Sequence, residues 1–460
     1  MINQLFPMLI LNIKKPISLL SFLLFAFSGY AQQMGTDEQK SMEKSNAAFK
    51  SFKGGVTGLK GPGLNLSSEK MQWWEDAKFG MFIHWGLYAI PATGEWTMFN
   101  QKIPAETYAK LADQFNPKSF NASDWAQIAK SSGMKYMVMV ARHHDGFAMW
   151  NSPSSYRHFN TMETAAHCDF VAGYTAACRK AGLGVGIYYS PMDWRFPGYF
   201  DPKGLPESAA AMKEQAYGQV EELMKNYGKI DILWYDGGWL AHKGGDADAA
   251  WLWEPLKLNA MVRKYQPDVV INPRSGMFGD FQVNEGPAEV KGPIIDIPWE
   301  KCLNLNGSSW GFNKTQQLMS LKSIIQMLVN VVDRGGNMLL NVGPNQDGVI
   351  PSSHAARLKE VGNWLKINGE SIYATRPGPF QPIDSLYGST HKEKIIYVHL
   401  LNSASITATL SLPAVESKIL SCTILGGGKV KFKQNREGVT LKINTDQLNP
   451  AVTTFALKLK

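Results

Sequence analysis

From residue 71 to residue 377, short apolar runs alternate with amphipathic stretches of helical period. The apolar runs are hydrophobic on both faces, which is typical of parallel strands covered by helices. We expect Ser123 to cap one of the helices and Gly182 to end another. The predicted strands are 79–84, 136–141, 184–189, 230–235, 269–272 and 338–342. The predicted helices are 105–114, 123–132, 170–181, 209–226, 252–265, 316–334 and 355–368.

This segment is long enough for a (β/α)8-like TIM barrel, an α/β fold of typically about 250 residues. Six strands are convincing rather than eight, so a doubly wound sheet is the structural alternative. A doubly wound sheet would need a phosphate-binding loop at its switch point, and the sequence has neither GxGxxG after a strand nor a P-loop. The pattern therefore favours a (β/α)8-like catalytic barrel over residues 71–377.

After Pro377 the pattern changes to short segments that often alternate apolar and polar residues, separated by Gly and Asn turns. Such a pattern predicts an antiparallel β-sandwich domain over residues 378–460. Residues 376–379, with the sequence Arg-Pro-Gly-Pro, are the predicted linker. The predicted strands of this domain are 394–401, 406–412, 430–432, 439–443 and 453–459.

Residues 1–31 have the order of features expected of a secretory signal peptide. Lys14 and Lys15 precede an apolar run, 17–27, that is too short to span a bilayer, and Ala31 stands at the expected cleavage point. The following polar segment, 32–70, shows little periodicity and is interpreted as an N-terminal extension. The sequence thus predicts a periplasmic or secreted protein without a membrane span.

Composition narrows the possible functions. The formal net charge is +8, but the positive residues are scattered without a run of five or six, which argues against nucleic-acid binding. The 14 tryptophans and 16 tyrosines can stack on sugars, although most aromatic residues fill cores. The four cysteines have no CxxC metal-binding spacing.

Polar and aromatic residues directly follow four of the predicted strands, where a barrel carries its catalytic side chains. Asp236 is the sharpest of these signals, because it follows an apolar strand and precedes two glycines between aromatic residues. A carboxylate there can attack an anomeric carbon while aromatic rings shield an oxocarbenium-like transition state. From position alone, a helix N-cap is an equally good interpretation.

The His143-His144-Asp145 cluster has three interpretations: metal ligands, ligands of sugar hydroxyls, or structural residues. The sequence has no HxH or HExxH spacing, so metal binding is the weaker interpretation. Adjacent strand residues point to opposite faces, and only a twist at the strand end would bring both imidazoles into one pocket. His84 is similarly a sugar ligand or a buried structural histidine.

A retaining glycosidase needs a second carboxyl group about 5–5.5 Å from the first. The candidates follow the fifth predicted strand, and spacing alone does not choose among them. They are Asp280, Glu285, Glu289 and Glu300.

Taken in order, the motifs of the chain resemble glycoside hydrolase family 29, the retaining α-L-fucosidases. Any one motif is weak, whereas the ordered set from about Met71 to Thr375 is highly specific. The matching segments are 73–74 with 78–86, 94–96, 142–147, 188–190 with Trp194, 234–237, 299–300 with 309–312, and 336–344.

The resemblance implies a barrel followed by a β-sandwich, with neither metal nor organic cofactor. It implies that Asp236 attacks the anomeric carbon and that the substrate is a fucosylated oligosaccharide or glycoconjugate. It also implies a fucose pocket in which histidines and a glutamate bind hydroxyls. By this resemblance the pocket residues are His84, Glu95, Trp96, His143, His144 and Tyr188.

The acid/base residue is also implied by the resemblance. In many members a Glu follows an Asp-Phe or Asp-Tyr pair after an Asn-Asp-Arg-Trp motif, and the sequence 280–285 matches with Glu285 as the acid/base. The upstream motif departs, since it reads Asn-Pro-Arg-Ser over 272–275. Arg274 can still take the sugar-binding arginine position of the family motif. Glu289 and Glu300 are the alternatives to Glu285 as the acid/base.

Three other functions remain open at this stage. An α-L-galactosidase would differ only in accepting a C6 hydroxyl, a discrimination that can be modest. A fucose-binding protein without catalysis would share the pocket. A metal-dependent hydrolase would use the His143 cluster. Linkage and leaving-group preference depend on loops such as 196–206 and 243–250, whose shapes the sequence does not indicate.

Overall fold

The computed structural model describes residues 64–460, apart from 244–245, 277–278, 308, 316 and 404–407 and the side chains of 246 and 247. The predicted signal peptide and most of the predicted extension lie outside the described residues. The described residues belong to one compact unit, Val56–Lys460.

Eight parallel strands form one curled sheet. Their spatial order is β5-β4-β3-β2-β1-β8-β7-β6, with β5 and β6 at the two ends. Strands consecutive in sequence lie side by side elsewhere in this order, and β1 pairs with both β2 and β8. This is the order of a barrel, so the (β/α)8-like prediction is confirmed and the doubly wound alternative is wrong. The strands are β1 Phe79–Ile83, β2 Tyr136–Arg142, β3 Gly184–Tyr189, β4 Ile232–Tyr235, β5 Val270–Ile271, β6 Gln282–Glu285, β7 Trp299–Asn304 and β8 Asn337–Val342.

Two of these strands, β6 and β7, were missing from the sequence prediction for physical reasons. The sequence of β6 is Gln-Val-Asn-Glu, with one apolar residue and partial exposure throughout. The sequence of β7 buries Glu300 and Lys301 beside its apolar residues, so its hydrophobic pattern is interrupted.

The predicted helices are present, with several corrections. The helix predicted over 105–114 is α-helical over Ala105–Ala109 and continues as a 3-10 helix over Lys110–Gln114, and the helix predicted over 316–334 begins at Leu321. Asn121, not Ser123, caps the helix Ala122–Ser131 by accepting a hydrogen bond from the Ser123 amide. The predicted helix 252–265 is broken at Glu254, which has a φ of 45° ahead of Pro255. Gly182 ends its helix in the left-handed conformation, as predicted. The helices are Ser68–Ala77, Thr97–Asn100, Ala105–Ala109, Ala122–Ser131, Phe170–Ala181, Pro197–Phe200, Pro206–Asn226, Ala250–Trp253, Pro255–Tyr265, Leu321–Asp333 and Ser352–Asn368.

The C-terminal part is an antiparallel β-sandwich, as predicted. One sheet has the order β13-β16-β11-β10-β9 and the other β12-β15-β14. The predicted linker differs from the structure, because Arg376–Pro377 forms β9 and pairs with β10. The boundary at residue 377 stays a prediction. The strands are β9 Arg376–Pro377, β10 Tyr387–Lys392, β11 Ile395–Leu400, β12 Thr409–Leu412, β13 Ile419–Ile424, β14 Phe432–Gln434, β15 Val439–Lys442 and β16 Thr453–Leu459.

Within the described part of the chain, no helix is long and apolar enough to cross a membrane.

Candidate active site

The carboxyl ends of the barrel strands bring the predicted site residues, except Glu95, into one pocket with about 390 Å³ of empty space. His84 follows β1, and His143 and His144 follow β2. Tyr188 is the next-to-last residue of β3, and Asp236 follows β4. Parallel strands end at the same face of a barrel, which is why residues far apart in sequence meet here. The pocket is lined by Phe82, His84, Trp96, His143, His144, Tyr188, Trp234, Asp236, Trp239, Arg274, Glu285, Cys302 and Trp310.

Asp236 is held in place by three side chains. Its Oδ2 accepts a hydrogen bond from the Tyr188 hydroxyl at 2.8 Å and lies 3.6 Å from His144 Nε2. Its Oδ1 accepts a hydrogen bond from Arg274 Nη1 at 2.7 Å. Burial opposes ionisation, but the Arg274 guanidinium, His144 and the Tyr188 hydrogen bond together hold the pKa of Asp236 below its usual value. Asp236 is therefore an ionised carboxylate on the pocket wall and not the helix N-cap that position alone allowed.

Gly237 makes this placement of Asp236 possible. It has a φ of +72°, and a Cβ there would lie 2.8 Å from Met192 Cε and 2.9 Å from the His144 ring. Only glycine takes this conformation without strain and leaves room for the imidazole. The Asp-Gly pair that stood out in the sequence is thus required by the packing of the pocket.

Arg274 joins Asp236 to a second carboxylate. Its Nη2 donates to Glu285 Oε2 at 2.5 Å, and its guanidinium lies 5.1 Å from the centroid of the Trp234 ring. Glu285 ends β6 and keeps 39% of its side chain exposed, whereas 14% of the Asp236 side chain is exposed. One guanidinium group thus binds a sheltered carboxylate and a more open one.

The structure separates the four candidates for the second carboxyl group. Of the four, Glu285 alone lies on the pocket wall of the described structure. Asp280 accepts hydrogen bonds from the Leu66 and Ile271 amides and pairs with Arg263, so it is a structural residue. Glu289 is exposed on a loop, where it accepts a hydrogen bond from Asn330.

The fourth candidate, Glu300, lies behind the pocket wall. It is fully buried and accepts hydrogen bonds from Trp234 Nε1 at 2.9 Å and from the Tyr136 hydroxyl at 2.5 Å. Burial raises its pKa to about 7, against the effect of the two donors. Glu300 therefore supports the Trp234 side of the pocket from behind.

The hydrogen bonds around His84 define its tautomer. Asn341 Nδ2 donates to the Trp310 carbonyl at 2.7 Å, so Asn341 Oδ1 is the acceptor for His84 Nδ1 at 2.7 Å. Burial lowers the pKa of His84 to about 3, so the ring is neutral near pH 7. Its Nε2 is then a hydrogen-bond acceptor.

His143 and His144 both line the pocket, which the alternation of an ideal strand would forbid. The register of β2 with β3 shifts between Val140 and Arg142, and this irregularity precedes the pair. Burial lowers the pKa of His144 to about 4 and holds the pKa of His143 well below its usual value. Both imidazoles are thus neutral near pH 7, as in a site that binds hydroxyl groups.

Asp145 does not join the two histidines. Its carboxylate accepts hydrogen bonds from the Tyr108 hydroxyl at 2.8 Å and from the Phe147 amide at 3.1 Å. In the described residues, no group of three or more His, Cys, Asp and Glu side chains has the arrangement to hold a metal ion. The geometry therefore does not support the His143-His144-Asp145 metal interpretation.

Comparison with known proteins identifies the family. The family model of alpha-L-fucosidase matches residues 63–370. The tissue alpha-L-fucosidase of Bos taurus is 30% identical to this chain over 421 residues, covering 84% of the chain and 87% of the relative. The human tissue alpha-L-fucosidase is 32% identical over 335 residues, 66% of this chain and 69% of the relative. The chain belongs to the α-L-fucosidases of glycoside hydrolase family 29.

Solved structures of α-L-fucosidases agree with this assignment. Alpha-L-fucosidase isoenzyme 1 from Paenibacillus thiaminolyticus is 33% identical and superimposes with a TM-score of 0.75, covering 85% of this chain and 99% of that one. A family 29 enzyme from Bacteroides thetaiotaomicron, 26% identical with a TM-score of 0.77, covers 88% of this chain and 98% of that one. That structure is a covalent intermediate trapped with 2-fluoro-fucosyl fluoride in a Glu-to-Gln variant. This chain is accordingly a glycoside hydrolase.

Of the predicted pocket residues, Glu95 is the one that does not line the pocket of this family 29 enzyme. It is 5% exposed, and its Oε2 accepts hydrogen bonds from the Trp310 and Gly311 amides at 2.9 and 2.8 Å. Burial raises its pKa, and these two amides oppose the effect. Glu95 thus positions the backbone beside Trp310, and its predicted contact with sugar stays a prediction.

Five pocket residues were missing from the sequence prediction of this family 29 site. They are Phe82, Trp234, Trp239, Cys302 and Trp310. Phe82 and Trp239 flank predicted strand ends, and their position could have indicated them. Cys302 pairs opposite Glu285 on a strand whose pattern was not visible, so no signal was available for it.

Proposed function

We propose that this family 29 enzyme is a retaining, exo-acting α-L-fucosidase that hydrolyses terminal α-L-fucosyl linkages of glycans. Asp236 is the nucleophile and Glu285 the acid/base in this proposal. The observation that carries it is the single Arg274 guanidinium bonded to both carboxylates. Two carboxylates within reach of one guanidinium fit a retaining pair, about 5–5.5 Å apart, better than an inverting pair at about 6.5–9.5 Å.

In the first step, Asp236 forms a bond to the anomeric carbon while the glycosidic bond breaks. The leaving oxygen takes that electron pair and the proton of Glu285. In the second step, Glu285 removes a proton from water, whose oxygen attacks the anomeric carbon and releases Asp236. The lowered pKa of Asp236 supports the nucleophile role, because the carboxylate is ionised before the substrate arrives.

The environments of the two carboxylates support different roles. Asp236 is sheltered and receives hydrogen bonds from Tyr188 and Arg274, which favour its anion. Glu285 is the more exposed of the two, which suits a group that must meet a leaving group and then water. Such a division between paired carboxyl groups is how glycosidases separate acid and nucleophile.

Aromatic and neutral imidazole groups suit a terminal fucosyl group, which has three hydroxyls and an apolar methyl group. His84 Nε2 is positioned as an acceptor for a sugar hydroxyl, and His143 and His144 are further neutral partners. Phe82, Tyr188 and Trp234 form an aromatic wall, with the Tyr188 and Trp234 rings stacked at 5.8 Å. We assign sugar binding to these residues together with Trp96 and Arg274.

The test uses the purified mature enzyme with p-nitrophenyl α-L-fucoside. Wild type should release p-nitrophenol, and Asp236→Ala should lose at least about 10³-fold in kcat, because the covalent step has no nucleophile. Azide should restore turnover of Glu285→Ala and yield a fucosyl azide, since azide needs no general base. Glu289→Ala, a change at an exposed carboxyl away from the pocket, is the matched control and should keep wild-type rates.

The same experiment can contradict the proposal. Azide rescue at Glu289 or Glu300 instead of Glu285 would reassign the acid/base. Faster turnover of the α-L-galactoside would change the substrate, and tight fucose binding without turnover would favour a binding protein.

We also propose that the enzyme acts after export, in the periplasm or outside the cell. This rests on the charged, apolar and small-residue order of residues 1–31. Amino-terminal sequencing of the exported protein should begin at Gln32, and recovery of uncleaved protein from the cytoplasm would contradict the export proposal.

A further inference from the structure

A cluster of aromatic rings lies beside the pocket and is more extensive than a six-carbon sugar requires. We call Trp96, Phe99, Trp194, Phe200 and His242 the rim cluster. Phe99 keeps 36% and Phe200 44% of its surface exposed, although both are large apolar side chains. Adjacent exposed aromatic residues are unusual on a soluble enzyme and commonly mark a binding surface.

The rim cluster is continuous with the catalytic pocket. Trp96 lines the pocket, where its ring lies 5.4 Å from the His144 ring. The same Trp96 ring lies 5.6 Å from Phe99 and 5.3 Å from His242. Trp96 therefore separates the inside of the pocket from the exposed rings beyond it.

His242 connects the exposed rings. Its ring lies 4.1 Å from that of Phe99 and 6.3 Å from that of Phe200, and Trp194 packs 5.5 Å from Phe99. Burial lowers the pKa of His242 to about 4, so at neutral pH the ring is uncharged and packs as an aromatic spacer. The cluster is thus an apolar surface without a cation in it.

The backbone that carries His242 is held in an unfavourable conformation. Ala241 and His242 both have a φ of 53°, in a turn closed by the Lys243 amide bonding to the Leu240 carbonyl. Two consecutive positive φ values without glycine are uncommon. The turn is stabilised by the Ala241 and His242 amides, which donate to the Tyr199 carbonyl and hydroxyl respectively. Strain of this kind is characteristic of functional sites.

Three segments therefore meet at the rim. Trp96 and Phe99 come from the segment after β1, Trp194 and Phe200 from the segment after β3, and His242 from the segment after β4. In a barrel, the loops at the carboxyl ends of the strands contact the parts of the substrate beyond the reacting bond. An exo-acting pocket holds the terminal sugar, so the next sugar of the glycan must pass over the rim.

We propose that the rim cluster is the leaving-group subsite and that it binds a neutral hexopyranose through the apolar C–H face of the sugar ring. The proposal rests on the α-L-fucosidase function and adds the chemical class of the leaving group. Exposed phenyl rings offer flat apolar surface at low conformational cost, and they have no charge to attract an acidic or sulfated sugar. Phe99 and Phe200 are specificity-determining residues in this proposal.

The experiment compares two kinds of substrate that share the fucosyl group and differ in the leaving group. α-L-Fucosyl fluoride has no leaving sugar, whereas fucosyl-galactose and fucosyl-N-acetylglucosamine disaccharides of each linkage do. The full-length mature enzyme is measured as wild type, Phe99→Ala, Phe200→Ala and Phe200→Trp. Leu420→Ala, which removes a large exposed apolar side chain from the β-sandwich, is the control.

We expect kcat/KM on the disaccharide that wild type cleaves best to fall about tenfold for each alanine variant. On fucosyl fluoride the same variants should stay within about twofold of wild type. Phe200→Trp should retain disaccharide activity, because it keeps an aromatic face. Leu420→Ala should match wild type on both substrates.

The outcomes separate the two proposals. If wild type fails on fucosyl fluoride, the fucosidase function itself is contradicted. If wild type cleaves the fluoride but none of the disaccharides, or if the alanine variants affect both substrates equally or neither, the leaving-group subsite is overturned while the fucosidase function stands.

Discussion

Arg274 is the residue on which the electrostatics of the active site depend. It contacts both carboxylates and is the strongest influence that favours the ionised form of Asp236. Asp236 must be ionised to attack, so activity is lost as the pH falls through its pKa. A lowered pKa keeps the enzyme active to lower pH than an unassisted buried carboxylate would allow.

Arg274→Ala should therefore move the acidic limb of the kcat/KM profile to higher pH. It should also reduce kcat/KM by about 10- to 100-fold at the optimum, because one charge-assisted hydrogen bond to each carboxylate is lost. Arg274→Lys keeps the positive charge but cannot hydrogen-bond both carboxylates through a planar guanidinium. The acidic limb of its profile should therefore lie between those of wild type and Arg274→Ala. Profiles measured on an aryl α-L-fucoside test this, and an acidic limb unchanged in Arg274→Ala would contradict the assigned role.

At the scale of elements, three strands meet on one buried carboxyl group. Glu300 comes from β7 and accepts hydrogen bonds from Trp234 of β4 and Tyr136 of β2. Burial raises its pKa from 4.5 to about 7. Between these two values the unfolded chain loses the proton while the folded protein keeps it, so stability falls as pH rises through this window.

Glu300→Gln should remove this pH dependence. The amide can still accept from Trp234 and can donate to the Tyr136 oxygen, so the pocket wall should stay in place. Relative to wild type, the free energy of unfolding of the variant should rise by about 3 kcal/mol between pH 4.5 and pH 7.5. Urea unfolding at both pH values measures this, and a constant difference between the two proteins would show that Glu300 does not keep its proton.

The elements also show what could be predicted from the sequence. Strands whose two faces are apolar, such as β2 and β3, were predicted within a residue or two of their observed bounds because burial leaves a continuous hydrophobic run. The strands β6 and β7 could not be predicted, because polar side chains interrupt the continuous apolar run by which a buried parallel strand is recognised.

The candidate site was predictable to a similar extent. Asp236 was a candidate by its position after an apolar strand, with a helix N-cap as an equal alternative, and Glu285 was a candidate by resemblance to the family. Both lie on the pocket wall, and their catalytic roles stay predictions. The contact of Arg274 with both carboxylates depends on the path of the chain between β5 and β6. Sequence spacing carries no information about that path, because the described residues between the two strands contain one short turn of helix, Pro273–Ser275, and no longer regular element.

At the scale of the whole molecule, a buried pair joins the barrel to the β-sandwich. His399 Nδ1 of β11 lies 2.6 Å from Asp333 Oδ1 at the end of the helix Leu321–Asp333, and neither side chain is exposed. Arg334 and Asp384 make a second contact between the two parts at 2.6 Å. The sandwich thus packs on the barrel through paired polar groups and is expected to stabilise the catalytic part.

His399→Ala should lower the free energy of unfolding by about 3 kcal/mol, since it leaves Asp333 buried without its partner. His391→Ala, at an exposed histidine on the neighbouring strand β10, is the matched control and should change stability by less than about 0.5 kcal/mol. Because the pair is remote from the pocket residues, kcat/KM of folded His399→Ala should equal that of wild type. Equal stabilities of the two variants would contradict a joining role for the pair.

The central claim is that Asp236 becomes covalently bonded to the sugar, and trapping the intermediate tests it most directly. The mature enzyme would be incubated with 2-fluoro-fucosyl fluoride, digested and mapped by mass spectrometry. We expect one 2-fluoro-fucosyl group per chain, on the peptide that contains Asp236, and no label in Asp236→Asn. A label on any other residue, or hydrolysis of the reagent without a trapped species in either protein, would contradict it.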